Sequence, residues 1–374
     1  MTEAERIEEF EKLLAETNTD ADEAVRVVED HADAIFTWDY GKGNRPRLET
    51  LYEKAKTSQW NGSDLDWSVD VDPEKTSREV NANDARGQFV AQLMSAPGSP
   101  VAHWSDKEWG RYSVESFGWR LAQFMHGEQG ALLATAKIVE TVPWIDAKYY
   151  ASTQVMDEAR HVEVFARYLD EKVPTTYPVN HHLQSLLDDI INDSRWDMTY
   201  LGMQIMVEGL ALAAFGSMHK NTEEPLLKNL LRYVMSDEAR HVAFGVLTLQ
   251  EFYQGLDAGE IRERQEFAYE AAVRMRDRFL QQEVWDRLGV DVRSMMTLLL
   301  SQRPEENVFQ QMLFSKIVPN CKKLGLLDAG AVEGKPSWLR TKFTEMGIIE
   351  YEDWVTTDDE YGALDEVQRD KAAG

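Results

Sequence analysis

Long helix-forming runs dominate the middle of the chain, and no sustained period-two alternation interrupts them there. The pattern is clearest between Ser105 and Gly289, where proline is sparse and turn signals divide it into consecutive helices. One helix is predicted from about Ser113 to Val142, stopping at Pro143, and the next from about Asp146 to Glu171, before Pro174. A short helix over His182–Asn192 leads to a strongly apolar one over Arg195–His219. The turn from Asn221 to Pro225 puts a proline at or near the next N-terminus. Helices over Leu226–Tyr253 and Gly259–Arg287 follow, so the predicted fold class is all-α.

The flanks are less regular. Residues 1–104 carry loop signals at Gly41–Asn44 and Ser95–Pro100 and are expected to form an extension packed on the helical region. Residues 105–289 form the bundle. Residues 290–374 begin helical, over Met295–Leu300 and Asn307–Leu324, and end in an acidic, solvated tail around Thr356–Glu360. Leu201–Met218 approaches the length of a membrane span, but it holds Gln204 and Glu208 and no second such stretch accompanies it. A buried bundle helix is the expectation, with no membrane partner.

Glu208 is the only charge between Leu201 and Phe215, and an ionised carboxylate there is costly unless it is paired or bound to metal. Residues 157–162 and 237–242 give the reason for it, because both read Asp-Glu-Ala-Arg-His-Val at an offset of 80. Each holds Glu-x-x-His, Glu158 with His161 and Glu238 with His241, and residues i and i+3 share a helix face. Glu128 and Glu208 are also 80 apart, and each precedes its Glu-x-x-His glutamate by 30 residues. The midpoint of the first pair is Pro143 and that of the second lies in the 221–225 turn. Antiparallel hairpins would therefore bring each pair to one level, roughly 20 Å from its turn at 1.5 Å per residue. Spacing alone converges four helices and six candidate ligands: Glu128, Glu158, His161, Glu208, Glu238 and His241.

Four carboxylates and two neutral imidazoles carry a charge that two divalent ions cancel, and this donor set suits iron or manganese. Asp157 and Asp237 are placed to hydrogen-bond the far nitrogen of a ligand histidine, or else to pair with Arg160 and Arg240. His126 reads as a satisfied core histidine, His181 and His182 as surface residues, and Met203, Met206 and Phe215 as packing beside a cavity.

Composition narrows the picture. The 66 acidic against 40 basic residues leave a formal net charge of −26, which disfavours nucleic acid and anionic membranes as partners. A hydrophobic share of 43% excludes a disordered acidic chain. With one cysteine, Cys321, there is no intrachain disulfide, no thiolate zinc site and no iron–sulfur cluster. The first residues lack the basic-then-apolar pattern of a signal peptide, so a cytoplasmic location is expected. The charge balance favours neutral or cationic small molecules as substrates. Arg262, Arg264, Arg274, Arg276 and Arg278 fall on one predicted helix, as a solvated face or a docking surface for an acidic partner.

The two Asp-Glu-Ala-Arg-His copies, each with a Glu 30 residues before its own, resemble the ferritin-like dimetal-carboxylate oxygenases and oxidases. The likeness covers about residues 115–250. It is similar to the hydroxylases of bacterial multicomponent monooxygenases, the small subunit of class I ribonucleotide reductase, and the arylamine N-oxygenases. The segment Tyr52–Trp67, with Gln59-Trp60 and Asp66-Trp67, resembles N-terminal segments of such relatives. The resemblance implies a ferritin-like four-helix bundle extended by additional helices and holding two Fe ions or Mn/Fe. It implies O2 as co-substrate, a small-molecule substrate, a separate reductase or ferredoxin as electron donor, and a homodimer. The residues depart from each subfamily. The reductase's radical tyrosine position is Phe165, the hydroxylases' threonine position is Leu212, and the N-oxygenases' extra histidine position is Val234. A ferroxidase or storage role, or a Mn/Fe ligand-binding oxidase, stands as the alternative to an oxygenase.

Overall fold

The structure is a computed structural model that describes residues 3–15, 45–83, 87, 94–173, 175–301 and 308–353. The Gly41–Asn44 loop signal, Pro174, Asn307 and the acidic segment Thr356–Glu360 lie outside the described residues. Among the described residues there is no strand, only one isolated bridge between Val332 and Lys335. The helices are α1 (Glu3–Ala15), α2 (Pro46–Thr57), α3 (Pro73–Asn83), α4 (Asp106–Thr141), α5 (Ile145–Lys172), α6 (His181–Asn192) and α7 (Trp196–Asn221). After them come α8 (Pro225–Tyr253), α9 (Ala258–Asp277), α10 (Gln282–Arg287), α11 (Val292–Leu300), α12 (Val308–Phe314), α13 (Val318–Lys323) and α14 (Trp338–Glu345).

Local chemistry sets these boundaries. α4 starts at Asp106, earlier than its apolar period predicts, because the Glu108 side chain accepts from the Ser105 backbone N–H at 2.6 Å. α8 starts at Pro225 with the Glu224 carboxylate accepting from the Leu226 and Leu227 amides, both at 2.7 Å. The single helix predicted over Gly259–Arg287 is broken. α9 ends at Asp277, a tight turn covers Arg278–Leu280, and Gln281 has φ 55°, the only non-glycine residue with positive φ among the described residues. The helix predicted over Asn307–Leu324 divides into α12 and α13, with Pro319 in the first turn of the latter.

α4 and α5 pack along their lengths as one hairpin, and α7 and α8 form the second. α5 meets α8, and α4 meets α7, closing a four-helix bundle. α2 lies across α5 and α8, α3 on α4, and α9 on α7 and α6. One continuous apolar core runs from Leu48 to Ile348 and includes Trp119, Phe165, Phe215 and Trp285. α7 is long and apolar enough to cross a membrane, but 83% of its apolar window is buried inside the protein, as a central bundle helix requires.

The surface expectations for His181, His182 and the arginines change, whereas His126 is satisfied as expected. His182 is buried, because Asn180 caps α6 and turns the first-turn His182 inward; His181 is half-buried. His126 is half-buried and meets the Tyr177 carbonyl at 2.9 Å and Gln129 at 3.2 Å. The five arginines do not form one face. Arg264 is buried against Asp197 and Arg278 is buried, whereas Arg262, Arg274 and Arg276 pair with Glu266, Asp189 and Asp277.

Candidate metal centre

Each bundle helix delivers its acidic residue to one buried point. α4 carries Glu128, α5 Glu158 and His161, α7 Glu208, and α8 Glu238 and His241, and none of the six is more than 5% exposed. Two groups form there, Glu128, Glu158, His161 and Glu238 in one and Glu158, Glu208 and His241 in the other. Within each, one ligand atom per residue lies within 4.8 Å of every other.

The two Glu-x-x-His glutamates span both histidines. Glu158 presents Oε2 to His161 Nδ1 at 3.4 Å and Oε1 to His241 Nδ1 at 3.1 Å. Glu238 does the same with Oε1 at 3.1 Å from His161 Nδ1 and Oε2 at 3.5 Å from His241 Nδ1. Glu128 Oε2 stands 3.3 Å from His161 Nδ1 on one side. Glu208 belongs to the other side, where Gln154 Nε2 donates to it and to Glu158, both at 3.0 Å.

The outer nitrogens are held crosswise. His161 Nε2 meets Asp237 Oδ2 at 3.1 Å, and His241 Nε2 meets Asp157 Oδ2 at 3.3 Å, so each hexapeptide's aspartate backs the other hexapeptide's histidine. With Nε2–H donating to carboxylate, Nδ1 of each ring is left facing the glutamates. The alternatives read from sequence coexist: Arg160 donates to Asp157 at 2.5 Å and to Asp237 at 3.1 Å, and Arg240 donates to Asp237.

Two residues from before α4 complete this layer. Trp60 Nε1 donates to Asp237 Oδ2 at 2.7 Å, and its ring stacks on Tyr233 and lies under the Arg160 guanidinium. Gln59 donates to Asp157 Oδ1 at 3.1 Å and accepts from Arg160 at 3.1 Å. The role of Gln59 and Trp60 was visible in sequence only as a shared segment. Gln154 carried one usable signal, a polar residue one helical turn before Glu158 on the same face.

α7 is not a regular helix at the site. Leu201–Val207 is wound wider, as a π-helix, and the Glu208 amide bonds back to the Met203 carbonyl. Such segments are frequent at functional sites, where one extra residue per turn redirects a side chain. Gly245 makes the wide turn possible, since a Cβ there would stand 2.6 Å from Gln204 Cβ.

Several donor atoms have no hydrogen-bond partner: Glu158 Oε2, Glu208 Oε2, both Glu238 oxygens and His241 Nδ1. Buried polar atoms are rarely left this way, and here they point at a common centre, so the donor set fits a pair of divalent ions. Electrostatics agree. Burial pushes Glu128 and Glu208 well above the usual carboxylate range, and the Glu238 charge adds to it. Burial also works against ionising Glu158, but His241 and His161 prevail and hold it low. Both histidines are raised despite their burial, His161 mainly by Asp237 and His241 mainly by Glu158. Without cations, protons must supply the positive charge.

A narrow cavity adjoins the cluster, lined by Glu128, Glu208 and Glu238 together with Phe124, Phe215 and Arg278. Its volume is about 20 Å³, against the roughly 10–15 Å³ that one water needs.

No family model and no curated protein matches the chain. Among solved structures it is similar to an R2-like ligand-binding oxidase with an aerobically reconstituted Mn/Fe cofactor, at 18% identity and TM-score 0.50, over 74% of this chain and 92% of that one. A point variant of an R2-like ligand-binding oxidase with an anaerobically reconstituted Mn/Fe cofactor matches at 18% identity and TM-score 0.50, over 76% and 99%. The fold is therefore the ferritin-like bundle of these helical oxidases, extended by further helices.

Proposed function

We propose that the chain is an O2-dependent dimetal oxidoreductase, an oxygenase or oxidase. It would hold two Fe ions, or one Mn and one Fe, and hydroxylate, N-oxygenate or desaturate a small organic molecule. The observation that carries this reading is the double presentation of Glu158 and Glu238, one oxygen of each to each histidine, which is what two adjacent cations require of bridging carboxylates. When bound, the two ions supply redox and Lewis-acid chemistry toward dioxygen.

The chain's own residues do the rest. Glu128 and Glu208 would each hold one side of the pair. Asp237 and Asp157 fix the ring orientation of His161 and His241; Arg160 donates to both aspartates, and Arg240 to Asp237. Phe124, Phe215, Val207 and Ala211 wall the cavity against bulk water. The sequence carries no flavin or nicotinamide fingerprint, so a separate reductase or ferredoxin is proposed as electron source.

The test is metal counting combined with oxygen uptake. Protein loaded with Fe(II), or with Mn(II) and Fe(II), should retain about two ions per chain. It should consume O2 in a burst limited by the electrons supplied. Continued oxidation and accumulation of iron far beyond two ions would replace this reading with iron storage.

A further inference from the structure

Five large hydrophobic side chains stand exposed among the described residues, and two of them are neighbours, Leu133 on α4 at 53% and Met156 on α5 at 54%. Across residues 129–139 of α4 and 152–162 of α5 every charged side chain is buried, namely Lys137, Asp157, Glu158 and Arg160. The exposed positions there are Gln129, Leu133 and Ala136 on α4 and Ser152, Met156 and Ala159 on α5, and none carries charge. Charge returns at the ends, with Glu140 and Lys148 beside the Pro143 turn and Glu163 beyond. α9 shows the contrast, since Glu260, Glu263, Glu266 and Glu270 all stand exposed along it.

The six exposed positions form one surface. At 3.6 residues per turn, those on α4 lie about 80–140° round from Glu128 and those on α5 about 100–160° round from Glu158. Equal rotation away from the metal side of two antiparallel neighbours puts both sets on the outer face of the hairpin. Lys148 ties the two helices together by donating to the Val139 and Glu140 carbonyls, at 2.9 and 2.8 Å. α6 covers one flank, where Leu187 packs at Gly130 and Lys137 donates to the Ile191 carbonyl. α2 covers the other, where Gln59 meets Asp157 and Tyr52 stacks on Tyr149. The strip between them is left exposed.

We propose that this strip is a two-fold homodimer interface, with Leu133 and Met156 at its centre. The chain's own charge selects the occupant. At a net −26, two copies repel wherever their acidic surfaces meet, and the α4–α5 face lets them approach without like-charge contact. A charged electron donor is steered by complementary charge, and an anionic bilayer calls for basic residues; this face has neither. A centre depleted of charge inside a polar rim is the composition that subunit interfaces show. A two-fold contact must also complement itself. Leu133 and Met156 protrude, while Ala136, Ser152 and Ala159 leave hollows beside them, so each copy offers both shapes. Glu128, Glu158 and His161 gather on the opposite side of the same two helices. The partner therefore backs the hairpin without touching the proposed metal centre, and the contact stands whatever that centre holds.

Sedimentation equilibrium of the full-length protein reads the assembly from about 1 to 100 μM. Wild type should be a dimer over this range. Leu133→Lys and Met156→Lys should each raise the dissociation constant at least about 100-fold, because a two-fold contact receives each lysine twice. The double variant should be monomeric throughout. Val332→Lys, at a residue 65% exposed outside the strip, should stay as dimeric as wild type. A monomeric wild type overturns the proposal, and so does a dimer that survives the double substitution. Circular dichroism checks that each variant folds. Leu133→Ser and Met156→Ser stand in for a lysine variant that does not, with a weakening of at least about tenfold expected. Maleimide labelling of Ala159→Cys, with Cys321 buried, tests the place of the contact. Its thiol should be protected in the dimer and react at least about tenfold faster once Met156→Lys is added. Fast labelling in a protein that sediments as a dimer overturns the proposal, because the contact then lies elsewhere. A thiol protected in a monomer overturns it too, because a segment of the same chain then covers the strip.

Discussion

The two halves of the bundle carry the same three donors at the same spacing, yet they are built differently. In α4 and α5, Glu128 lies on a regular helix, and Asp157 is held by Gln59 and Arg160 as well as His241. In α7 and α8, Glu208 follows a π-helical turn that Gly245 accommodates, and Asp237 receives Trp60, Arg160 and Arg240 as well as His161. The repeat supplies ligands, and the surroundings break its symmetry. Two positions with unequal partners would bind two ions with unequal affinity.

The largest expected effect separates shared from private ligands. Glu158→Ala or Glu238→Ala should reduce bound metal from about two per chain to nearly none, because each serves both histidines. Glu128→Ala and Glu208→Ala should each leave about one ion, counted by elemental analysis after desalting. If Glu208→Ala keeps both, the ligand set proposed for the second half is wrong. Next in size are the crossed aspartates. Asp237→Asn should weaken metal binding by about 10–100-fold, chiefly at the His161 side, with Asp157→Asn acting on the His241 side. Asp237→Asn should also cost more thermal stability, since it removes the shared carboxylate that Trp60, Arg160, Arg240 and His161 all meet. Equal melting temperatures for the two variants would mean that the two halves are supported equally.

Protons offer a third way to sharpen the comparison. In the metal-free cluster His161 and His241 are raised above their ordinary value, so they keep protons to higher pH, and metal binding has to displace them. Apparent affinity should therefore rise with pH through the neutral range and fall as pH drops, as read by chelator competition. A flat profile would mean that the rings are already neutral without metal.

Much of this site was legible in the chain because its logic is periodic. The 80-residue offset, the 30-residue spacing and Pro143 suffice to align Glu128, Glu158, Glu208 and Glu238 in two hairpins, and the structure brings them together with both histidines. What escaped is aperiodic. Gln59 and Trp60 reach Asp157 and Asp237 from about 100 and 180 residues away, and no local pattern encodes such a contact. The π turn hides in a run that is apolar on every face, where an extra residue per turn changes no hydrophobic period. The break at Gln281 escaped because glutamine has no turn propensity to announce it, so Arg278 read as part of a solvated face.

Gly245→Ala tests the second half alone. Its Cβ would meet Gln204 Cβ at 2.6 Å, forcing the π turn to shift or tighten. The expected cost is about 1–3 kcal/mol, with the metal on the Glu208 side lost first and the Glu128 side retained. Loss of both ions in parallel would show that the halves are coupled more tightly than their separate surroundings imply.

Trp60→Phe should have the smallest effect and bears most directly on the asymmetry. It keeps a ring to stack on Tyr233 and under Arg160 but removes the 2.7 Å donor to Asp237. Arg160, Arg240 and His161 still hold that carboxylate, so stability should fall by only about 1 kcal/mol and metal affinity by less than tenfold. Gln59→Leu on the other half removes one of fewer partners of Asp157 and also an acceptor for Arg160. It should therefore weaken the His241 side more than Trp60→Phe weakens the His161 side, in the same chelator competition. The reverse order would mean that the indole contributes more than one hydrogen bond, and that the better-partnered half is the more fragile one.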